Sequence, residues 1–325
     1  MGLAILGIAF YHAPFIIHNY WLELFHDTLN CGVDLFLFLS GIGACHSIAR
    51  RGGCGYLRQR ADRLLPGLFL FLIPWSVYML FHGYMNGREL LGSVTLLGWW
   101  LGSPIQLNWY FSAVWAFFLL AVPVYALLRR VRFPVLLWTA LLIVSWSLAL
   151  LCPLDYLMTA VARLPIFLFG MLLGTWEQRG FRHTGILRTV LILMIPMGIQ
   201  LVIAVNWYGG GYYHGYQYGF WWYPYAFLIP GWAVLVSDLA SLLGKSRVFS
   251  ILAKPIRWCG ESSAEILMIH VGVYKAIMYT RHFRNRIWIC ILLGCAALGC
   301  LYHYLLLPFL RARLRSFCTF LAERY

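Results

Sequence analysis

Gly32-Val33-Asp34-Leu35-Phe36-Leu37-Phe38-Leu39-Ser40-Gly41 is an apolar run with one carboxylate at its mouth and small residues at its end. Such a run is long and continuous, without the alternation of a barrel strand, and the chain is built from its like: residues 64–81, 109–128, 133–151 and 187–205 are similar. Spanning a bilayer takes about 20 apolar residues as a helix, whereas a barrel strand alternates over about 10. The 325 residues are 62% hydrophobic and only 11% charged, against roughly 25% in soluble domains. No soluble fold of this length could bury that surface. The class expected is an all-α polytopic membrane protein, one domain over residues 1–325.

Ten spans are expected, at residues 2–18, 31–49, 64–82, 108–128, 133–151, 163–177, 187–206, 220–243, 262–280 and 287–310. The sixth is short, so tilt or bilayer thinning is expected there. Residues 88–102 read as a re-entrant or interfacial piece. With the N-terminus inside, most of the 25 basic residues fall in cytoplasmic segments, including Arg58, Arg60, Arg63, Arg129, Arg130, Arg188, Lys254 and Arg257. That asymmetry predicts both termini in the cytoplasm. Arg88, Arg163 and the cluster Arg281-His282-Phe283-Arg284-Asn285-Arg286 count as outer charges. The net charge of +14 does not point to nucleic acid, because the basic residues sit between apolar runs. No internal repeat of a transporter kind is evident.

The nine cysteines form no CxxC pair and no zinc spacing, so no metal is expected. Cys45, Cys290, Cys295 and Cys300 read as small apolar residues of spans. Cys31 and Cys152 fall near the same membrane face, with no pairing indicated. The stretch from Asn206 to Tyr225, rich in glycine and aromatics, reads as an interfacial aromatic belt or as a surface for sugar rings.

Ionisable groups in apolar spans mark candidate sites, because charge is expensive there. His12, in Ala9-Phe10-Tyr11-His12-Ala13-Pro14, is suited to general-base work; the plainer alternative is a helix-packing histidine. His18 is its competitor. Asp34 either orients His12 or is an acidic residue favoured by a helix N-terminus. Arg60 and Arg63, three apart, share one helical face. With Arg58 they offer guanidinium forks for the phosphates of a coenzyme A thioester, or they are ordinary positive-inside charge. Glu265, inside the ninth span, needs a partner, for which Lys275 or an arginine is the candidate.

The ordered set of motifs resembles membrane-bound acyltransferase family 3. The histidine of the first span matches His12. The glycine-valine-aspartate run ending in serine-glycine matches Gly32 to Gly41. Arginines three apart before leucine-leucine-proline match Arg60 to Pro66, and an aromatic opening of the fourth span matches Asn108-Trp109-Tyr110-Phe111-Ser112. The sixth-span pattern matches Arg163-Leu164-Pro165 through Gly174, and a late glycine-serine-histidine segment matches Gly260 to His270.

The resemblance implies a multi-pass acyltransferase of the cytoplasmic (inner) membrane. It would move an acyl group, most simply acetyl from acetyl-CoA, to a hydroxyl of an envelope polysaccharide or lipid-linked sugar. His12 would be base or acyl relay, Asp34 its orienting group, and donors near Ser40 would stabilise the oxyanion. Arg58, Arg60 and Arg63 would bind the CoA phosphates, and Trp109, Tyr110 and His270 the substrate. The family also carries an arginine eleven positions before the histidine, where Met1 stands. Either an upstream start supplies it or the chain lacks it and is inactive. The competing class is a non-enzymatic glycan or lipid transporter.

Overall fold

The computed structural model describes residues 1–102, 109–151, 155–180, 185–208, 221–278, 285–310 and 312–313. Every regular element among them is helical, and six helices are long and apolar enough to cross a membrane. In lipid a helix is the economical solution, because it satisfies each backbone N–H and C=O internally. Three further apolar helices are shorter, over Gly2–His12, Val135–Leu148 and Ser263–Tyr274. The chain divides into two compact units. The first comprises Met1–Gly32, Arg60–Val94 and Ile251–Tyr325, the second Val33–Gln59 and Thr95–Ser250.

In the first unit α1 (Gly2–His12) stops earlier than its apolar run suggests. Ala13 is extended (φ −77°, ψ 125°), since the residue before a proline is disfavoured in the α region, and Pro14 follows. The backbone freed by this break is not left bare. The Asn285 side-chain amide accepts from Ile16 N at 2.9 Å and donates to Ile16 O at 3.0 Å. The chain then forms α2 (Tyr20–Thr28), between the first two expected spans. Asn19 caps it by accepting from Leu22 N, and Trp21, Leu22 and Phe25 stay exposed.

The next two spans form one helical run, α3 (Gly32–Phe81), broken at Gly52 (φ 71°, ψ 172°). A residue with a side chain is strained at that angle. The basic segment between the two apolar runs is therefore helix rather than loop. Residues 88–102 divide into a short helix, α4 (Gly87–Val94), and turns.

In the second unit α5 (Trp109–Arg130), α6 (Pro134–Leu151), α7 (Asp155–Val161) and α8 (Leu164–Gln178) precede the pair α9 (Gly185–Tyr208) and α10 (Tyr225–Leu243). The expected shortness of the sixth span is corrected here. With α7 the apolar stretch Leu157–Gln178 is 22 residues long, about 33 Å at the helical rise, enough without thinning. The turn between α7 and α8 is satisfied from α6: Ser145 Oγ donates to Val161 O and Trp138 Nε1 to Pro165 O.

Every residue from Pro165 to Thr175 is buried, so α8 is the centre of this unit. Glycines allow that. A Cβ at Gly170 would lie 2.1 Å from Phe38 O, and one at Gly41 2.2 Å from Phe167 O. Small residues at such crossings let helix backbones approach where no hydrophobic effect drives them together.

The rest of the first unit is α11 (Arg247–Glu261, which begins in the second unit), α12 (Ser263–Met278) and α13 (Asn285–Leu301). A π-helical turn over Tyr302–Leu306 continues α13. Gly299 sits where a Cβ would meet Ile266 Cγ1 at 2.4 Å. Ala13, Tyr274, Trp288 and Cys295 form a buried cluster.

Gly170→Ala should force α8 away from α3 and lower stability by about 1–3 kcal/mol. Gly294→Ala meets nothing within 4 Å and should be neutral or stabilising by up to about 1 kcal/mol. Thermal unfolding of the two variants in detergent checks the contrast.

Candidate functional site

Two polar constellations stand in these apolar units, one in each. In the first, α1 ends on His12 and α12 carries His270. Nδ1 of His12 lies 3.0 Å from Nε2 of His270, and Nδ1 of His270 lies 2.8 Å from the carbonyl oxygen of Ile266, one turn earlier. A carbonyl only accepts, so His270 Nδ1 carries the proton. For a neutral pair, His270 Nε2 is then the acceptor and His12 Nδ1 the donor. The tautomer follows from the hydrogen-bond network: the lone pair of His12 is on Nε2.

His270 is fully buried and His12 half-buried. The Tyr274 ring stands edge-on to His270, and Trp288 edge-on to Tyr274, which fixes the His270 ring from behind. The competitor His18 is exposed. His26, which no sequence signal singled out, is buried beside α1; its Nε2 is 3.0 Å from Phe10 O and its Nδ1 3.2 Å from Asp27 Oδ1. Arg60 is half-buried and Arg63 exposed on one face of α3, as their spacing implies; Arg58, also exposed, is turned away from Arg60 by helical geometry.

Glu265, one turn before Ile269 on α12, has its Oε1 3.1 Å from Nδ1 of His303. The expected partner was Lys275 or an arginine. The π turn that continues α13 brings this histidine beside the carboxylate. The Lys275 side chain lies outside the described residues, as do Asn108, Cys152, 209–220 of the aromatic loop and 281–284 of the outer cluster.

In the second unit the carboxylate of Asp34 and the guanidinium of Arg163 are both buried, at 1% and 3% exposure. Arg163 Nε donates to Asp34 Oδ2 at 3.4 Å and Nη1 donates to Thr159 O at 3.1 Å. The guanidinium carbon stands 5.4 Å from the Trp109 ring centre and 4.9 Å from that of Trp222, within reach of cation–π attraction. Arg163 counts from sequence as an outer charge. In the fold it is the ion partner of Asp34, because the turn between α7 and α8 aims it at the first turn of α3. Its place at the head of the sixth-span motif was the available signal. Trp109 and Tyr110 open α5 beside this pair, both half-buried, and one indole face of Trp109 is taken by the arginine. Among the described residues no group of three His, Cys, Asp or Glu side chains is placed to hold a metal ion.

A family model described as an acyltransferase domain matches residues 2–309. The chain belongs to acyltransferase family 3. No curated protein and no solved structure matches it. As an acyltransferase of a multi-pass membrane family, the chain has acyl transfer as its reaction class, and such a reaction needs a base or nucleophile with an available lone pair. Among the described residues His12 contacts His270, Asp34 is ion-paired with Arg163, and Glu265 lies 3.1 Å from a histidine, His303.

Removing one member of the buried pair should be costly. Asp34→Asn or Arg163→Met leaves a buried charge or polar group without its counterpart, at about 3–5 kcal/mol. The double substitution Asp34→Leu with Arg163→Met should recover much of that loss. Yield of monodisperse protein and thermal unfolding of the three variants measure it.

Proposed function

We propose that the protein is an O-acyltransferase of the cytoplasmic membrane that moves an acyl group, most simply acetyl, from cytoplasmic acetyl-CoA to a hydroxyl of an envelope polysaccharide or lipid-linked sugar. The observation that carries this reading is the His12–His270 pair, which leaves the His12 acceptor on Nε2 in a chain of an acyltransferase family.

In the direct route His12 Nε2 takes the proton of the acceptor hydroxyl as its oxygen attacks the thioester carbonyl. The tetrahedral intermediate collapses with cleavage of the C–S bond, and the CoA thiolate leaves with the proton returned by the imidazolium. In the relay route Nε2 itself attacks the thioester and CoA leaves as the thiolate; the acceptor hydroxyl then attacks the acyl-imidazole, the C–N bond breaks, and the hydroxyl proton ends on the CoA thiolate. Both routes begin with the same lone pair, and His270 is a positioning residue in both. Arg60 and Arg63, on one face of α3, are the proposed phosphate contacts of the CoA moiety. In the second unit Trp109 and Tyr110 are the proposed sugar contacts, and Arg163, paired with Asp34, stands against the Trp109 ring.

The proposed topology has ten crossings with both ends in the cytoplasm. The helical stretch Tyr20–Phe81 is 62 residues long, about 90 Å at the helical rise, which is too long for one crossing. Its break at Gly52 suits two crossings joined by a basic cytoplasmic turn. The shorter apolar helices at Gly2–His12, Val135–Leu148 and Ser263–Tyr274 supply three more, each continued by neighbouring residues.

Mass spectrometry of surface glycans tests the reading in cells that lack the gene and carry wild type, His12→Ala or His270→Phe at equal membrane levels. The expected result is an acyl group restored by wild type, lost in His12→Ala by at least about a hundredfold in transfer rate, and reduced in His270→Phe. Restoration by His12→Ala would remove this histidine from the reaction. An acyl adduct on His12 after brief exposure to acetyl-CoA marks the relay route; its absence during turnover marks direct transfer.

A further inference from the structure

The helix α11 has no buried residue along its 15 positions, although it is flanked by apolar helices. Its residues separate cleanly by helical period. Arg247, Ser250, Lys254, Arg257 and Glu261 recur at three- and four-residue spacing and are all exposed. Val248, Ile251, Leu252 and Trp258 lie on the opposite and adjoining arc and are exposed too, Val248 at 67% and Leu252 at 66%.

The third side of the helix is occupied. A Cβ at Gly2 would fall 1.8 Å from Ile256 O, and one at Gly260 2.9 Å from Gly2 N, so α11 is seated on the first residues of α1. That seat fixes its rotation and turns the apolar arc outward. Between residues 245 and 261 the basic residues Lys245, Arg247, Lys254 and Arg257 are opposed by Glu261 alone, whose carboxylate accepts a hydrogen bond from the Tyr304 hydroxyl. A basic polar face, an apolar face and a tryptophan between them are the requirements of a helix lying in a membrane–water interface.

We propose that α11 is an in-plane interfacial helix that binds the surface of an anionic bilayer, with Val248, Ile251, Leu252 and Trp258 in the acyl boundary and Arg247, Lys254 and Arg257 against anionic phospholipid headgroups. The inference stands on the membrane character of the chain and is independent of its chemistry.

The test uses the full-length chain in a cysteine-free background, in nanodiscs of phosphatidylcholine with or without phosphatidylglycerol. Nitroxide labels are placed at Leu252→Cys and Ser250→Cys. The expected outcome is a Leu252 label several-fold more accessible to dissolved oxygen than to a water-soluble nickel chelate, with the reverse at Ser250. A Leu252 label shielded from both reagents would mean that protein, such as a second copy, covers the arc, and would overturn the proposal. Equal nickel access at both positions would place the helix in water and overturn it equally. Hydrogen exchange of residues 247–261 in the unlabelled wild-type chain serves as the second measurement. Exchange is expected to slow when phosphatidylglycerol is present, and Lys254→Gln with Arg257→Gln should abolish the difference. Exchange indifferent to lipid charge in wild type would overturn the headgroup contact.

Discussion

In hydrocarbon a polar side chain has no water to fall back on, so an ionisable one buried there is costly unless it meets a counterpart in the protein. This constraint organises both units. Asp34 meets Arg163, Glu265 meets His303, and His12 meets His270. The Asp34 pair fixes where α3 begins relative to the α7–α8 turn, and Arg163 in turn holds the rings of Trp109 and Trp222. The two histidines tie the end of α1 to the middle of α12. Desolvation of so buried an ion pair offsets much of its Coulombic gain.

Backbone obeys the same constraint. Where Pro14 ends α1, the Asn285 amide satisfies both polar groups of Ile16. Where α7 breaks before α8, Ser145 and Trp138 reach the carbonyls of Val161 and Pro165. Arg179 likewise donates to the last carbonyls of α5, those of Leu128 and Arg129. Helix interruptions are tolerated at these places because side chains from neighbouring helices replace the missing backbone bonds. The glycines of α3 and α8 bring their backbones close enough for such short side chains as Cys45 to reach: its thiol donates to Met171 O at 3.1 Å.

The proposed chemistry is an outcome of this rigid polar bookkeeping. A histidine free to choose its tautomer would offer either nitrogen to a substrate. His270, locked by the Ile266 carbonyl and backed by Tyr274 and Trp288, presents only an acceptor to His12 Nδ1. Orientation of this kind lets a side chain act in one direction without reorganisation during the reaction.

The sequence by itself determined the membrane class, the approximate apolar segments and the ordered motifs that mark the family, since composition and period are properties of neighbouring residues. It also contained the early stop of α1, which follows from Pro14, and the break at Gly52, though neither is obvious without the backbone angles. Tertiary structure alone decided the partners. Arg163 lies 129 residues from Asp34 and His270 lies 258 from His12; no local rule selects one basic or imidazole group among many over such separations. His303 stands beside Glu265 for the same reason: which side chain arrives at a buried carboxylate is set by the register of packed helices.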